Sequence, residues 1–342
     1  MPEPLLAIND LAVEFKTDDG IVKAVDGISY EVYPGEILGI VGESGSGKSV
    51  STLALLGLIP VPPGRIASGT AMFKGRDLLT LPKNDLRAVR GNEMAMIFQD
   101  SMTSLNPVLT IGSQLGEAIS THYPKESKSE VRRRTIELLD LVGVPNPETR
   151  NDQYPHEFSG GMRQRALIAM SIANSPALLI ADEPTTALDV TIQAQVLDVL
   201  KRVQEKTNAG TILITHDLGI VAELCDRVIV MYAGHIVETG DVTTIFRAPR
   251  HPYTIGLMNS LPKLTADESR LEPIPGSPPS LINLPTGCPF HPRCFLSNGR
   301  EECRTELPAL LSIENTEHAA ACHFTEELIG YKSKYSGEAV TA

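Results

Sequence analysis

The sequence predicts an α/β fold whose largest part is a parallel β-sheet buried on both faces. Three apolar runs of strand length, residues 177–181, 211–215 and 228–232, alternate with segments of helical pattern, as is typical of such a sheet. Residues 5–41 instead alternate apolar and polar side chains, which predicts an antiparallel β subdomain. Residues 84–176 are mostly helical in pattern, which predicts an α-helical subdomain.

The composition of the chain changes after about residue 248. Seven prolines fall between Pro273 and Pro292, and a stretch this rich in proline forms neither a regular helix nor a central strand. We therefore predict a main domain at residues 1–248, with its helical subdomain at about residues 100–175. A small cysteine-containing C-terminal extension would occupy residues 249–342.

The net charge and the hydropathy of the chain argue against several classes of protein. The chain has 30 Lys and Arg against 42 Asp and Glu, a net charge of −12. Proteins that coat nucleic acid neutralise phosphates with Lys and Arg, so this class is not expected. No stretch reaches ~18 uninterrupted apolar residues, and the start of the chain lacks the basic and apolar regions of a signal peptide. We expect a cytosolic protein that associates with a membrane only through a partner.

A glycine-rich loop directly follows the apolar run 37–41. It reads Gly-Glu-Ser-Gly-Ser-Gly-Lys-Ser, the G-x-x-x-x-G-K-S pattern of a phosphate-binding P-loop. Its glycines let consecutive backbone N–H groups turn toward one anion, and the helix that follows adds the partial positive charge of its N-terminus. We expect Lys48 to reach the terminal phosphates and Ser49 to offer its hydroxyl to Mg²⁺. The predicted nucleotide-binding residues here are Gly42, Glu43, Ser44, Gly45, Ser46, Gly47, Lys48, Ser49 and Val50.

Two acidic residues end the apolar run 177–181. Residues at the carboxyl end of such a strand face the ligand crevice of an open α/β sheet. Asp182 would hold Mg²⁺, directly or through water. Glu183, one residue further, can point at the water that attacks the γ-phosphate. Behind a P-loop, this pair of acids predicts a site of nucleotide hydrolysis.

A second glycine-containing segment precedes another apolar helix. Ser159 is a good helix N-cap, and Gly160 and Gly161 leave the backbone open. Capping alone does not require two glycines, so we predict that an anion approaches this helix end closely.

These motifs occur in the order of an ATP-binding-cassette ATPase, which the chain resembles over about residues 5–245. The resemblance also rests on Gln99 in Ile-Phe-Gln-Asp, on residues 187–189 (Ala-Leu-Asp) and on His216. It implies a P-loop NTPase cassette in which two cassettes sandwich two ATP molecules. Each ATP would lie between one chain's P-loop and the Ser-Gly-Gly segment of the other chain.

The resemblance also implies individual roles. Gln99 would sense the metal and contact the transmembrane subunit, and Asp189 would communicate across the dimer. His216 would orient the γ-phosphate and the water, next to the catalytic Glu183. Phe15 is the predicted aromatic residue that stacks on adenine, with a core strand residue as the alternative.

A narrower resemblance, to the importer ATPases of the oligopeptide/dipeptide subfamily, covers almost the whole chain. It is carried by Ser-Leu-Asn-Pro at 104–107, His-Pro-Tyr-Thr at 251–254 and Cys-Pro-Phe-His-Pro-Arg-Cys at 288–294. It implies an ATPase that powers peptide import with a second related ATPase, two permease subunits and an extracytoplasmic substrate-binding protein. The chain would then lie at the cytoplasmic face of the inner membrane.

Other functions stay open at this point. Nickel, glutathione and opine importers share this cassette type. A non-transport cassette ATPase usually has paired cassettes or long coiled-coil insertions, and this sequence shows neither. A regulator without useful turnover is opposed by the presence of Glu183 and His216.

Four of the five cysteines lie near the end of the sequence, at Cys288, Cys294, Cys303 and Cys322. Disulfides are disfavoured in a cytosolic chain, and four thiols in a proline-rich segment with little core indicate a metal staple. No pair has the close spacing of zinc sites, whereas Cys₄ ligation suits an iron–sulfur cluster. The importer resemblance also points to a [4Fe–4S] cluster. Zinc or no metal are the alternatives. His291 and His323 are alternative ligands, but we expect each of them to pack or to face solvent, and Cys225 is predicted to be a buried structural thiol.

Overall fold

A computed structural model describes residues 3–99, 104–186, 189–260 and 273–331. The strands are β1 (Leu6–Thr17), β2 (Gly20–Val32), β3 (Ile37–Val41), β4 (Gly64–Phe73), β5 (Arg76–Asp77), β6 (Met94–Ile97), β7 (Leu178–Asp182), β8 (Gly210–Ile214), β9 (Arg227–Tyr232), β10 (His235–Asp241), β11 (Leu311–Ser312) and β12 (Ala319–Ala320). The helices are α1 (Lys48–Leu55), α2 (Lys83–Val89), α3 (Ile111–His122), α4 (Lys128–Leu141), α5 (Pro147–Arg150), α6 (Gly160–Ser171), α7 (Val190–Thr207), α8 (Leu218–Leu224), α9 (Val242–Arg247), α10 (Pro252–Asn259) and α11 (Glu301–Thr305). Short 3₁₀ turns occur at Pro155–Glu157, His291–Arg293 and Thr325–Leu328.

The chain forms two compact units. Unit 1 contains residues 1–6, 31–37 and 73–214, and unit 2 contains residues 7–30, 38–72 and 215–342. No helix among the described residues is both long enough and apolar enough to cross a lipid bilayer.

Unit 1 contains three parallel strands, with β7 between β6 and β8. Every residue of β7 and β8 is buried, as the continuous apolar runs in the sequence predict. Helices α3, α4 and α6 pack against one another on buried side chains such as Leu115, Leu139 and Ile168. The outer face of α4 is charged and exposed, and Arg132 there pairs with Asp152.

Strand β6 is a correction to the sequence analysis, which predicted mostly helix over residues 84–176. Met94–Ile97 pairs with β7, with Met94 opposite Leu178 and Ile97 opposite Ala181. An apolar run of this length is too short for its periodicity to separate a strand from a helix. Residues 94–97 form a strand because they pair with β7, which is distant in the sequence.

Unit 2 contains the predicted hairpin of β1 and β2, joined by a two-residue turn at Asp18 and Asp19. Strand β3 runs parallel to β9, and β9 pairs antiparallel with β10. Part of the C-terminal extension joins this sheet, because β12 pairs with β10 through Ala320 opposite Glu238. Strand β11 then pairs with β12.

Candidate nucleotide-binding and catalytic site

The glycine-rich loop lies between β3 and α1 in unit 2, as the sequence predicts. Gly42, Gly45 and Gly47 have φ values of 153, 78 and 101 degrees, which favour glycine. A Cβ atom on Gly42 would lie 2.2 Å from the carbonyl oxygen of Met231, and one on Gly47 would lie 2.3 Å from that of Ala24. The loop therefore requires glycine at both positions, for space as well as for conformation.

Lys48 begins α1 and is buried. Its Nζ donates to the carbonyl oxygens of Gly42, at 2.8 Å, and Glu43, at 3.0 Å, and to Ser46 Oγ at 3.4 Å. The ammonium group therefore lies over its own loop. Ser49 follows it at the start of the helix and is half-buried.

Two residues of the C-terminal extension form hydrogen bonds with Glu43. Its N–H donates to the Tyr253 hydroxyl oxygen at 2.8 Å. Its carboxylate accepts from Nη1 and Nη2 of Arg293, at 2.6 and 3.0 Å. Hydrogen bonds to Glu43 raise the pKa of Arg293, and burial raises the pKa of Tyr253. This role of Tyr253 and Arg293 is not predictable from the sequence motifs at 251–254 and 288–294, although the two residues lie in them.

Asp182 and Glu183 lie where β7 ends, in unit 1. Asp182 is buried, with 6% of its surface exposed. Glu183 has a φ of 47 degrees, and its N–H donates to the Ile214 carbonyl oxygen at 2.8 Å. A non-glycine residue in this left-handed region carries strain that surrounding contacts must hold. The backbone thus turns sharply at Glu183.

Two hydrogen bonds fix the Glu183 carboxylate. Gln99 Nε2 and Thr186 Oγ1 each donate to its Oε2 at 2.9 Å. The structure therefore brings together two residues that the sequence analysis assigned to the chemistry, Gln99 and Glu183. It adds Thr186, for which the only sequence signal is a hydroxyl residue three positions after an acid.

Ser159, Gly160 and Gly161 start α6 in unit 1. Ser159 caps the helix as predicted, since its side chain accepts from Met162 N at 3.4 Å. A Cβ atom on Gly161 would lie 2.7 Å from Ile192 Cγ2, whereas one on Gly160 would meet nothing within 4 Å. Close packing against α7 thus explains Gly161, and only Gly160 has an open face. The approach of an anion to this helix end stays a prediction.

Gln164, on α6, is a further residue that the sequence analysis missed. It is 1% exposed, and its Nε2 donates to the Pro184 carbonyl oxygen at 2.6 Å. Pro184 directly follows Glu183, so the Ser-Gly-Gly helix is bonded to the backbone beside the predicted catalytic acid. The glutamine at the end of Ser-Gly-Gly-Met-Arg-Gln was the available signal.

The roles of the other predicted site residues stay predictions. His216 is exposed and lies after β8, next to Asp217, whose carboxylate caps α8. Phe15 is half-buried in β1, with its ring edge close to Gly64. Asp189 caps α7 by accepting from Ile192 N at 2.9 Å. Ala187 and Leu188, of the same predicted motif, lie outside the described residues.

The predicted [4Fe–4S] cluster is wrong. Within the described ranges, which include all the cysteines, no three His, Cys, Asp or Glu side chains form a group that could hold a metal ion. Burial raises the pKa of Cys288 to about 11 and that of Cys322 to about 12. Burial thus favours the uncharged form of both thiols.

Hydrogen-bonding contacts within the extension engage Cys322 and the two histidines that were considered as alternative ligands. Cys322 Sγ accepts from Phe324 N at 3.4 Å. His291 Nδ1 lies 2.9 Å from the Cys288 carbonyl oxygen, and His323 Nε2 lies 3.0 Å from that of Glu306. Neither an iron–sulfur cluster nor a zinc ion is supported, because no group of side chains among the described residues could hold a metal ion. The prediction for Cys225 is confirmed, because this thiol is buried.

Comparison with known families identifies two matched regions. Residues 25–186 match the family model described as ABC transporter, and residues 237–303 match the one described as oligopeptide/dipeptide transporter, C-terminal region. The dipeptide transport ATP-binding protein DppD of Escherichia coli K12 is 51% identical over 94% of this chain and 96% of its own length. The oligopeptide transport ATP-binding protein OppD of Bacillus subtilis is 55% identical over 84% of this chain and 80% of its own length.

The chain spans only about half of some curated relatives. OppD of Mycobacterium tuberculosis is 52% identical over 96% of this chain, but the match covers 53% of that protein.

Solved structures show the same fold. A bacterial ABC transporter cassette solved as a dimer, MJ0796, has a TM-score of 0.62 at 25% identity and covers 69% of this chain and 98% of its own. The cassette cbiO1 of Clostridium perfringens has a TM-score of 0.61 at 26% identity over 72% of this chain and 91% of its own. The strands and the P-loop agree with the cassette matches, and the extension agrees with the match to the C-terminal region. The chain belongs to the ABC transporter ATPases, in the family of oligopeptide and dipeptide transport ATP-binding proteins.

Proposed function

We propose that this chain hydrolyses ATP to power the import of di- and oligopeptides through membrane-embedded permease subunits. The observation that carries the proposal is the presence of two matched regions on one chain. The cassette region supplies ATP hydrolysis, and the C-terminal region is the one described for oligopeptide/dipeptide transporters.

The chain's own residues take the following parts in binding ATP. Backbone N–H groups of residues 42–49 bind the phosphates, and Lys48 neutralises charge on the terminal ones. Ser49, Gln99 and Asp182 would hold Mg²⁺, since hydroxyl, amide and carboxylate oxygens are donors that this hard cation accepts. Bound Mg²⁺ supplies further charge neutralisation for phosphoryl transfer. Phe15 stacks on the adenine ring.

Hydrolysis requires an oriented water molecule. Glu183 accepts a proton from that water, and Gln99 and Thr186 hold its carboxylate through hydrogen bonds of 2.9 Å to Oε2. His216 orients the γ-phosphate. Because the carboxylate is already fixed, little reorganisation is needed when the water attacks.

ATP also joins two cassettes. We place each nucleotide between residues 42–49 of one chain and Ser159 and Gly160 of another, and Asp189 signals between the two. The open face of Gly160 and the dimeric form of the similar cassette MJ0796 support this arrangement. The second cassette is a related ATPase, and two permeases and an extracytoplasmic binding protein complete the importer. The chain then lies at the cytoplasmic face of the membrane and is held there by the permeases.

Reconstitution tests this function. The chain, its partner ATPase and the permeases are placed in proteoliposomes with the external binding protein, and ATP hydrolysis and solute uptake are measured together. We expect hydrolysis to rise several-fold with di- or oligopeptides and uptake to require ATP. Stimulation by Ni²⁺ or glutathione instead of peptides would assign the chain to another importer, and uptake without ATP dependence would contradict the ATPase role.

A further inference from the structure

We propose that Arg293, in the C-terminal extension, is a positioning residue for the phosphate-binding loop, and that it neutralises Glu43 so that the loop accepts a polyphosphate. The inference rests on the proposed function, because it concerns ATP bound at residues 42–49. It assigns to the extension a part in nucleotide affinity.

Three groups of Glu43 are engaged at once. The carboxylate receives two hydrogen bonds from the Arg293 guanidinium, at 2.6 and 3.0 Å. The backbone N–H donates to the hydroxyl oxygen of Tyr253, and the carbonyl oxygen accepts from Lys48 Nζ at 3.0 Å. Glu43 is therefore a direct structural link between the extension and the phosphate-binding lysine.

The position of Arg293 is fixed independently of Glu43. Its side chain is 5% exposed, and its Nε donates to the Pro275 carbonyl oxygen at 2.9 Å. Its guanidinium carbon lies 5.8 Å from the ring centre of Tyr232 and 6.0 Å from that of Phe290. The ion pair is bidentate, and its arginine is buried and already fixed. Unlike a surface ion pair, it therefore loses little side-chain entropy when it forms. Removing one partner of such a pair leaves the other charge uncompensated.

The pair affects ATP binding through the charge of the Glu43 carboxylate. The loop must receive a ligand with several negative charges, yet its second residue is an acid. Paired with Arg293, Glu43 adds no net charge to the loop. Without Arg293, its carboxylate would repel the phosphates, and the repulsion would be greater for ATP than for ADP. The effect requires a negative charge at residue 43, so removing that charge should cancel it.

The experiment is a double-substitution cycle on the full-length chain. Arg293→Met keeps much of the side-chain volume without the charge, Glu43→Gln keeps a hydrogen-bond acceptor, and the third variant carries both changes. Displacement of a fluorescent ATP analogue by MgATP and MgADP gives the dissociation constants. We expect Arg293→Met to weaken MgATP binding by about tenfold and MgADP binding by less. We expect the double variant to recover most of the MgATP affinity that Arg293→Met loses, because it leaves no uncompensated carboxylate beside the phosphates.

The cycle separates charge neutralisation from a merely structural role. If Arg293 only anchors the extension, the double variant will bind MgATP as weakly as Arg293→Met, and this result would overturn the proposal. Unchanged MgATP binding in Arg293→Met would overturn it as well. Higher ionic strength should reduce the defect of Arg293→Met, because salt screens the repulsion.

Lys48→Ala serves as the reference variant for the site itself. If it binds MgATP like the parent chain, the proposed nucleotide site is wrong. If it loses binding while Arg293→Met does not, the nucleotide site stands and only the role of Arg293 fails.

Discussion

Gln99 Nε2 donates a hydrogen bond to Glu183 Oε2 at 2.9 Å, although the two residues are 84 positions apart in the chain. The register of β6 and β7 explains the contact. Ile97 lies opposite Ala181 in this parallel pair, so the residues two positions further on each strand leave the sheet side by side. The carboxylate of Glu183, the predicted catalytic residue, is therefore oriented by a residue that follows the neighbouring strand.

Thr186→Val should slow hydrolysis while nucleotide affinity stays unchanged. The substitution removes the hydrogen bond from the Thr186 hydroxyl to the Glu183 carboxylate and leaves the residues of the P-loop unchanged. We expect kcat for ATP to fall by about tenfold, because proper placement of a general base contributes roughly 10²–10⁴-fold in all. Steady-state ATPase assays and nucleotide titrations separate the two parameters. Thr121→Val, on the exposed face of α3, is the matched control and should leave kcat unchanged. A loss of affinity with normal kcat would contradict the role given to Thr186.

The two glycines of the Ser-Gly-Gly segment should respond differently to alanine. Gly161→Ala forces a Cβ atom to 2.7 Å from Ile192 Cγ2, so we expect the free energy of unfolding to fall by about 1–3 kcal/mol. Gly160→Ala meets an open face and should keep or slightly raise stability, because alanine favours the helix.

The ATPase activity of the Gly160→Ala variant should nevertheless fall in the assembled transporter, since its methyl group would face the nucleotide of the partner cassette. Urea unfolding and ATPase assays measure the two effects. Equal stability of the two variants would contradict the packing explanation for Gly161.

His251 should make the protein less stable at mildly acidic pH. Burial lowers its pKa to about 3, whereas the unfolded chain binds a proton near pH 6.5. Between these values the unfolded state holds more protons, so the free energy of unfolding falls as pH falls. From about pH 7 to about pH 5, this residue alone should remove about 2 kcal/mol.

His251→Asn isolates this contribution. Asparagine can still accept the hydrogen bond from Tyr253 N that caps α10, but it does not titrate in this range. Urea unfolding at both pH values should show a weaker pH dependence in the variant. The same dependence in both proteins would show that His251 titrates normally in the fold.

Much of the site could be predicted from sequence because its determinants are local. The glycines at 42 and 47 are required by the backbone of one loop, and the apolar strand before Asp182 leads directly to the acids. The N-cap at Ser159 is likewise set within a few residues. Such features depend on the conformation of short segments, which composition and spacing reveal.

The rest depends on contacts between distant segments. Strand β6 forms because β7 lies beside it, and the Arg293–Glu43 pair joins residues 250 positions apart. The cysteine prediction failed for the same reason. Four thiols in one proline-rich segment indicated shared ligation of a metal, but only the fold shows that they form no metal-binding group among the described residues.

The central claim is that the chain hydrolyses ATP with Glu183 as the residue that activates water. ATP turnover by Glu183→Gln in the assembled importer tests it most directly, with the MgATP dissociation constant measured on the same sample. We expect turnover to fall by roughly 10²–10⁴-fold while MgATP affinity stays within about threefold of the parent chain. Near-normal turnover in this variant, with MgATP bound as tightly as before, would contradict it.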